Sequence, residues 1–330
     1  MPIRAAGTPA FDIVRLAHVE LTVTDLDRSR AFYVDALGLV ETARDDDALY
    51  LRGLEERSHH SLVLRRGDTP LCTRLGYRLR SEDDLDEAHA FFTGMGLEAA
   101  WVASEGQSRT LHVRDPFGVP LAFYVRSDRQ PRLLQSYGAY HGAAVQRIDH
   151  CNCFAARLQA TYDFYAGRLG FRTTEYTETE PENGGEGALW AAWLQRKGNV
   201  HDLALTNGRG PRLHHVGLWT RSELDILRAC DVLSSTGWLG AIERGPGRHG
   251  ISNAFFLYLR DPDGHRVELF TGDYLTVDPD FEPIRWALDD PRRQTLWGQP
   301  APKTWFEEGT PFEGVNVDEP TLQARPVHMG

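Results

Sequence analysis

RLAHVELTVTDLDRSRAFYVDALGL, residues 15–39, returns in altered form as RIDHCNCFAARLQATYDFYAGRLGF, residues 147–171. Each stretch opens with a β-like run that contains a histidine, His18 or His150. Each continues into a helix-like run carrying Phe-Tyr and stops at a Leu-Gly pair, Leu37-Gly38 or Leu169-Gly170. A second pair lies further on: HVRDPFGVPLAFY, residues 112–124, matches YLRDPDGHRVELF, residues 258–270. The two halves of the chain are therefore duplicates, and an internal repeat governs any reading of the fold.

Each half divides again, with units near 13–66, 73–128, 146–206 and 212–272. Each unit reads as a strand, a helix and then several strands. Thr24 followed by Asp27 predicts a capping box at the first helix. Leu158, Tyr162, Tyr165 and Leu169 share one helical face. Gly38 and Gly170 suit helix C-caps, and DPFG and DPDG suit tight turns between strands. The expected architecture is α+β: four βαβββ units paired into two open barrel-like domains. The expected boundaries are an N-terminal domain over 1–130, a linker over 131–145, a C-terminal domain over 146–272 and a tail over 273–330.

Composition agrees with two domains, since 330 residues exceed one small core. The 41% hydrophobic and 25% charged content is that of a globular protein. A net charge of −11 argues against nucleic acid as a partner. No run approaches the roughly 20 apolar residues of a membrane span, and MPIRAAGTPAFDIVR lacks a signal-peptide core. Four cysteines do not make a disulfide framework in a chain this long. A cytoplasmic protein with no membrane partner is expected.

Three side chains stand out within the repeat. His150 lies on the first strand of unit three, His215 on the first strand of unit four, and Glu268 on its last strand. Residues two apart on a strand share a face. Val267 and Leu269 therefore face one way and Glu268 the other, and an apolar-flanked carboxylate is costly unless it binds something. His150 and Asn152 share a face, which leaves Cys151 and Cys153 to the core rather than to a thiolate metal site. Singly, His150 reads more readily as a packed core histidine than as a ligand, and Glu268 can be read as a structural ion pair. The duplicate is the control: His18 keeps the first position, but Ala122 stands where Glu268 stands, and no histidine occurs between His60 and His89. Two histidines and a carboxylate leave open positions on an octahedral ion and suit Fe(II), with Mn(II) compatible.

VTDLDRSRAFYVDALGL, RIDHCN, AAWLQRKGNVHDLALTNGRGPRLHHVGL and ERGPGRHGISNAFFLYLRDPDGHRVELFTGDY closely resemble the type I extradiol dioxygenases of the vicinal oxygen chelate (glyoxalase-like) superfamily. Within that family they look most like the members that take 3,4-dihydroxyphenylacetate. The resemblance runs to about residue 305 and implies several roles. His150, His215 and Glu268 would hold Fe(II) or Mn(II), making the C-terminal domain catalytic and the N-terminal one a scaffold. His201 would be the acid–base group, and Tyr258 would hydrogen-bond near the substrate oxygen. Asn152 and Trp193 would line the pocket, with Arg244 and His249 around the substrate side chain. Arg292, Arg293 and Trp305 would lie in a tail that closes the site. The partners implied are a catechol and O2, the product is 5-carboxymethyl-2-hydroxymuconate semialdehyde, and the assembly is a homotetramer.

Arginine binds carboxylate through paired hydrogen bonds, so Arg244, Arg292 and Arg293 bear on substrate choice, whereas Arg248 is expected to pair with an acid or face solvent. Three other readings compete. They are a different catechol, a metal-dependent isomerase on the same scaffold, and a binding module without catalysis.

Overall fold

The computed structural model describes residues 2–181 and 186–326. The outermost residues of the first and last expected segments, 1 and 327–330, lie outside the described residues. The first unit comprises β1 (Ile13–Val23), α1 (Leu26–Arg30), β2 (Val40–Arg44), β3 (Ala48–Arg52) and β4 (Leu62–Arg66). The second comprises β5 (Cys72–Leu79), α2 (Glu82–Gly94), β6 (Ala99–Val102), β7 (Thr110–Arg114) and β8 (Pro120–Tyr124). The third comprises β9 (Arg147–Ala155), α3 (Leu158–Gly167), β10 (Arg172–Glu178), β11 (Leu189–Gln195) and β12 (Leu203–Asn207). The fourth comprises β13 (Arg212–Trp219), α4 (Glu223–Ser235), β14 (Ile242–Arg248), β15 (Phe255–Arg260) and β16 (Arg266–Thr271). In the tail follow β17 (Ile284–Ala287), α5 (Lys303–Glu307) and β18 (Thr310–Pro311). The fold is the expected α+β arrangement of four βαβββ units.

The two sheets repeat one plan. Strand order is β2-β3-β4-β1-β5-β8-β7-β6 in the N-terminal sheet and β14-β15-β16-β13-β9-β12-β11-β10-β17 in the C-terminal one. The first strands of paired units, β1 with β5 and β9 with β13, run antiparallel at the centre. Each is flanked by the last strand of its own unit, running parallel. One face of each sheet joins a single apolar core that draws on both halves, and Cys151, Cys153, Val267 and Leu269 lie in it. The opposite faces curl into cups.

Gly38 and Gly170 take positive φ, +81° and +70°, where a Cβ would be strained. The expected cap at α1 needs correction. Asp25 caps it, its carboxylate accepting from the backbone N–H groups of Asp27 and Arg28. Thr24 instead donates its hydroxyl to Asp263 in the DPDG turn of the other half, at 2.5 Å. Aspartate caps at least as well as threonine, and here it leaves the threonine free to bond to the other half of the chain.

The repeated motifs hold the halves together. Tyr33, from the first Phe-Tyr pair, donates to Asp261 in the DPDG turn at 2.9 Å. Tyr165, from the second, donates to Asp115 in the DPFG turn at 2.9 Å. The same two motifs thus meet twice, each time between the two halves of the chain, and all four groups are buried.

The tail is woven into the C-terminal sheet. β17 extends it beside β10, β18 pairs with β13, and α5 between them carries Trp305 over the cup. Among the described residues no helix is long and apolar enough to cross a membrane.

Candidate metal centre and its pocket

Pairing geometry brings the three side chains together. Gly217 on β13 lies opposite His150 on β9 and also opposite Glu268 on β16. A Cβ at Gly217 would stand 2.3 Å from His150 Cε1, so only glycine lets that ring lie across the sheet. His150 Nε2 is 3.3 Å from His215 Nε2 and 3.0 Å from Glu268 Oε2, and His215 Nε2 is 3.2 Å from the same oxygen. Adjacent donors around an octahedral ion with bonds of about 2.1–2.2 Å stand about 3.0–3.1 Å apart. The donor set therefore fits a divalent ion on one triangular face of an octahedron. Among the described residues no other group of three His, Cys, Asp or Glu side chains converges in this way.

Electrostatics match a cation. Burial alone would raise Glu268, but hydrogen bonds from His150 and His215 overcome it and hold the carboxyl well below its usual range. Burial also opposes charge on His150. Its bonds to Asp149 and Glu268 outweigh that and raise it to about 9, so an incoming ion displaces a proton. Asp149 is itself buried but kept ionised by Lys197, His150 and Arg147.

The N-terminal cup shows what the duplication discarded. Gly76 faces His18 and Ala122 as Gly217 faces His150 and Glu268. By the same register Arg74 stands where His215 stands, and Glu20 where Asn152 stands. Arg65 and His18 sit at 3.1 Å and 3.4 Å from the Glu20 carboxylate, so this cup is filled by an ion-pair network.

Around the triad lies a pocket with a cavity of about 70 Å³. The expected residues His201, Tyr258, Asn152, Trp193, Arg244, His249, Arg293 and Trp305 all line it. Arg292 does not, and this expectation is corrected. Its side chain is 70% exposed and forms an ion pair with Asp290 at 2.8 Å. The Pro291–Arg293 turn points adjacent residues in different directions, so only Arg293 enters the protein. Arg248 pairs with Glu223 at 2.9 Å outside the pocket, as expected.

Neither ring nitrogen of His201 has a hydrogen-bond partner among the described residues. Burial, then repulsion from His150 and Lys197, pushes its pKa well down, so the ring is neutral. It lies 4.0 Å from the His150 ring, centroid to centroid. Tyr258 is 3.0 Å from His249 Nε2, while His249 Nδ1 bonds to the Gln294 carbonyl. A carbonyl only accepts, so His249 carries its proton on Nδ1 and the Tyr258 hydroxyl donates to Nε2. The phenol thus presents its oxygen to the cup. Trp305 roofs the site, 4.3 Å from the Tyr258 ring and 4.4 Å from that of His214.

Arg244 and Arg293 are 1% and 2% exposed, and neither has an acidic partner within ion-pair distance among the described residues. Arg244 donates to Gln294 O and Thr295 Oγ1 through Nη2, leaving Nη1 unpartnered. Arg293 leaves Nε unpartnered. Burial lowers each pKa to about 10, which still leaves both charged.

Several pocket residues escaped sequence reasoning: Phe154, Trp190, Ile251, Ser252 and His214. For Phe154 strand alternation from His150 and Asn152 was a usable signal. For Ile251 and Ser252 none existed, because they sit on a short turn.

The comparisons agree with this geometry. A profile for the Glyoxalase/Bleomycin resistance protein/Dioxygenase superfamily matches residues 15–123 and 147–269. The manganese-dependent 2,3-dihydroxybiphenyl 1,2-dioxygenase of Geobacillus genomosp. 3 is 32% identical over 88% of this chain and 96% of its own length. The metapyrocatechase of Geobacillus stearothermophilus is 29% identical over 94% and 98%. Homoprotocatechuate 2,3-dioxygenase from Brevibacterium fuscum, solved in complex with 3,4-dihydroxyphenylacetate, superposes with a TM-score of 0.89 at 40% identity, covering 94% of this chain and 97% of that one.

Proposed function

We propose 3,4-dihydroxyphenylacetate as the substrate of this chain, which belongs to the Glyoxalase/Bleomycin resistance protein/Dioxygenase superfamily and is an extradiol ring-cleaving dioxygenase using Fe(II) or Mn(II). The observation that carries the substrate is the pair of buried guanidiniums without carboxylate partners, Arg244 and Arg293. Two uncompensated charges in a pocket wall are costly. A substrate carboxylate offsets that cost, and it does so through paired charged hydrogen bonds. A biphenyl-type diol, as named for one relative, would leave both cations unpaired.

In this reading His150, His215 and Glu268 hold the ion. Bound there, it supplies a Lewis acid that lowers the catechol hydroxyl pKa and the redox-active centre that O2 requires. His201, neutral and without a partner, takes a proton from the catechol and returns one as the ring opens. The Tyr258 oxygen accepts from the remaining hydroxyl while its own O–H donates to His249 Nε2. Asn152 accepts a bond from Thr206 at 3.1 Å on its carbonyl oxygen, which turns its amide N–H groups to the pocket. Trp193 and Trp305 confine the ring and exclude water. Both atoms of O2 enter the product and the 2,3 bond breaks, giving 5-carboxymethyl-2-hydroxymuconate semialdehyde.

Oxygen uptake with 3,4-dihydroxyphenylacetate, catechol and 4-methylcatechol, with metal analysis of the same sample, tests this. Fast uptake that requires the carboxylate supports the substrate. Equal rates on all three would remove it and leave a less selective catechol dioxygenase. A cytoplasmic location belongs to the same reading, in keeping with four free thiols. So does a homotetramer, which light scattering checks.

A further inference from the structure

β9 and β13 each carry a β-bulge just before their pocket histidine. On β9 the pairing steps from Leu218↔Ile148 to Gly217↔His150, which leaves Asp149 as the extra residue. On β13 it steps from Leu213↔Cys153 to His215↔Asn152, which leaves His214. A bulged residue escapes the strict alternation of a strand. His214 therefore sits beside His215, with the two Nδ1 atoms 2.6 Å apart, as Asp149 sits 3.2 Å from His150 Nδ1. The other nitrogen of His214, Nε2, lies 2.8 Å from the carbonyl oxygen of Trp305 in the tail helix α5.

Proton positions follow from what each atom can do. The Trp305 carbonyl only accepts, so His214 Nε2 bears a proton. His215 Nε2 faces His150 and Glu268, and a metal there needs its lone pair. The His215 proton then sits on Nδ1 and must point at an acceptor, and the Nδ1 of His214 is that acceptor. Each link satisfies the next, from the tail backbone to the metal ligand. The N-terminal half keeps both bulges, but the extra residues are Ala17 and Thr73. It has the backbone device without the ring, and Arg74 where His215 would be.

We propose that His214 is a positioning residue that fixes the tautomer and orientation of His215 and ties that ligand to the closing tail through the Trp305 carbonyl. The inference rests on reading His150, His215 and Glu268 as the metal centre. Partners of this kind typically change metal affinity by about 10–100-fold when removed.

The test is Mn(II) titration of the metal-free full chain, with free Mn(II) followed by electron paramagnetic resonance, for wild type, His214→Phe and His214→Gln. Phenylalanine keeps the ring packed on Trp305 and loses both hydrogen bonds, and binding is expected to weaken about 10–100-fold. Glutamine can accept from His215 and donate to the carbonyl, and is expected to recover most of the loss. Unchanged binding by His214→Phe overturns the proposal, and so does equal weakening in both variants, which would mean packing alone. If His214→Phe does not fold, ¹H–¹⁵N correlation of the Zn(II)-loaded wild type decides. A His214 proton on Nε2 supports the chain, and one on Nδ1 overturns it. Failure of wild type to bind any Mn(II) would instead overturn the metal-centre reading itself.

Discussion

Replacing Arg293 with methionine is expected to stabilise the protein and cripple it toward one class of substrate. The guanidinium is 2% exposed, has no hydrogen-bond or ion-pair partner among the described residues, and stacks its charge 4.9 Å above the Trp190 ring. Burial, only partly offset by attraction from Asp290 and added to by repulsion from Arg244, lowers its pKa from the ordinary guanidinium range to about 10. That displacement corresponds to about 3 kcal/mol spent on keeping the charge buried. Methionine has similar reach and no charge, so the free enzyme should gain up to about 3 kcal/mol, less what imperfect packing takes back. In the complex the sign reverses. A substrate carboxylate facing the methionine loses its partner, which costs about 2–5 kcal/mol. The kcat/KM for 3,4-dihydroxyphenylacetate should fall roughly 30-fold to several thousand-fold. For 4-methylcatechol, which has no carboxylate, it should scarcely change. Thermal unfolding and oxygen uptake on both substrates measure the two halves. A variant that melts lower, or that loses both substrates equally, would refute the reasoning.

His201→Asn should slow turnover while Mn or Fe content stays near wild type, and equal turnover would end its acid–base role. Glu268→Ala should strip most of the metal, as element analysis of the purified variant would show. Gly217→Ala forces a Cβ against the His150 ring; it should destabilise the fold by about 1–3 kcal/mol and lower Mn(II) affinity, in contrast to alanine at the open position Gly94. Acid should also unfold the protein readily. His60, His201, His214 and His249 are buried and their pKa values are pushed down by that burial, His60 to about 2 and His249 to about 3. Unfolded, they take up protons near pH 6.5, so their contribution is full above that value and lost as pH falls. Between pH 7.5 and 5.5 His60, His249 and His215, the last lowered to about 4, each lose about 1.4 kcal/mol, and His201 and His214 add losses of the same sign. His150, raised to about 9, returns about as much as one of these rings loses, and Asp115, raised to about 6 by burial, returns about 1. Urea unfolding at the two pH values checks the sum, and a flat profile would show that these rings are charged in the fold.

Much of the architecture was legible because it is local and repeated. The matched segments at 15–39 and 147–171 located the units, and two-residue alternation separated Glu268 from Val267 and His150 from Cys151. The capping box at Thr24 misled, since a hydroxyl followed three residues later by an acid cannot reveal that Asp25 lies closer to the helix and that Thr24 has a partner in the other half. The tail beyond residue 305 carried no periodic signal, yet β18 docks on β13 through backbone hydrogen bonds that almost any residue can make.

By itself the sequence determined the duplication, the face on which each strand residue lies, and the loss of the Glu268 equivalent at Ala122. Those are properties of backbone periodicity and of residue type. Tertiary structure decided what came within reach of what. It converged β9, β13 and β16 so that three donors meet, and it inserted the bulges that turn Asp149 and His214 toward the histidines. It also buried Arg293 while leaving its neighbour Arg292 in solvent. Alternation is set within one strand, whereas convergence, bulging and burial depend on which strands pair and where the chain returns to cover them.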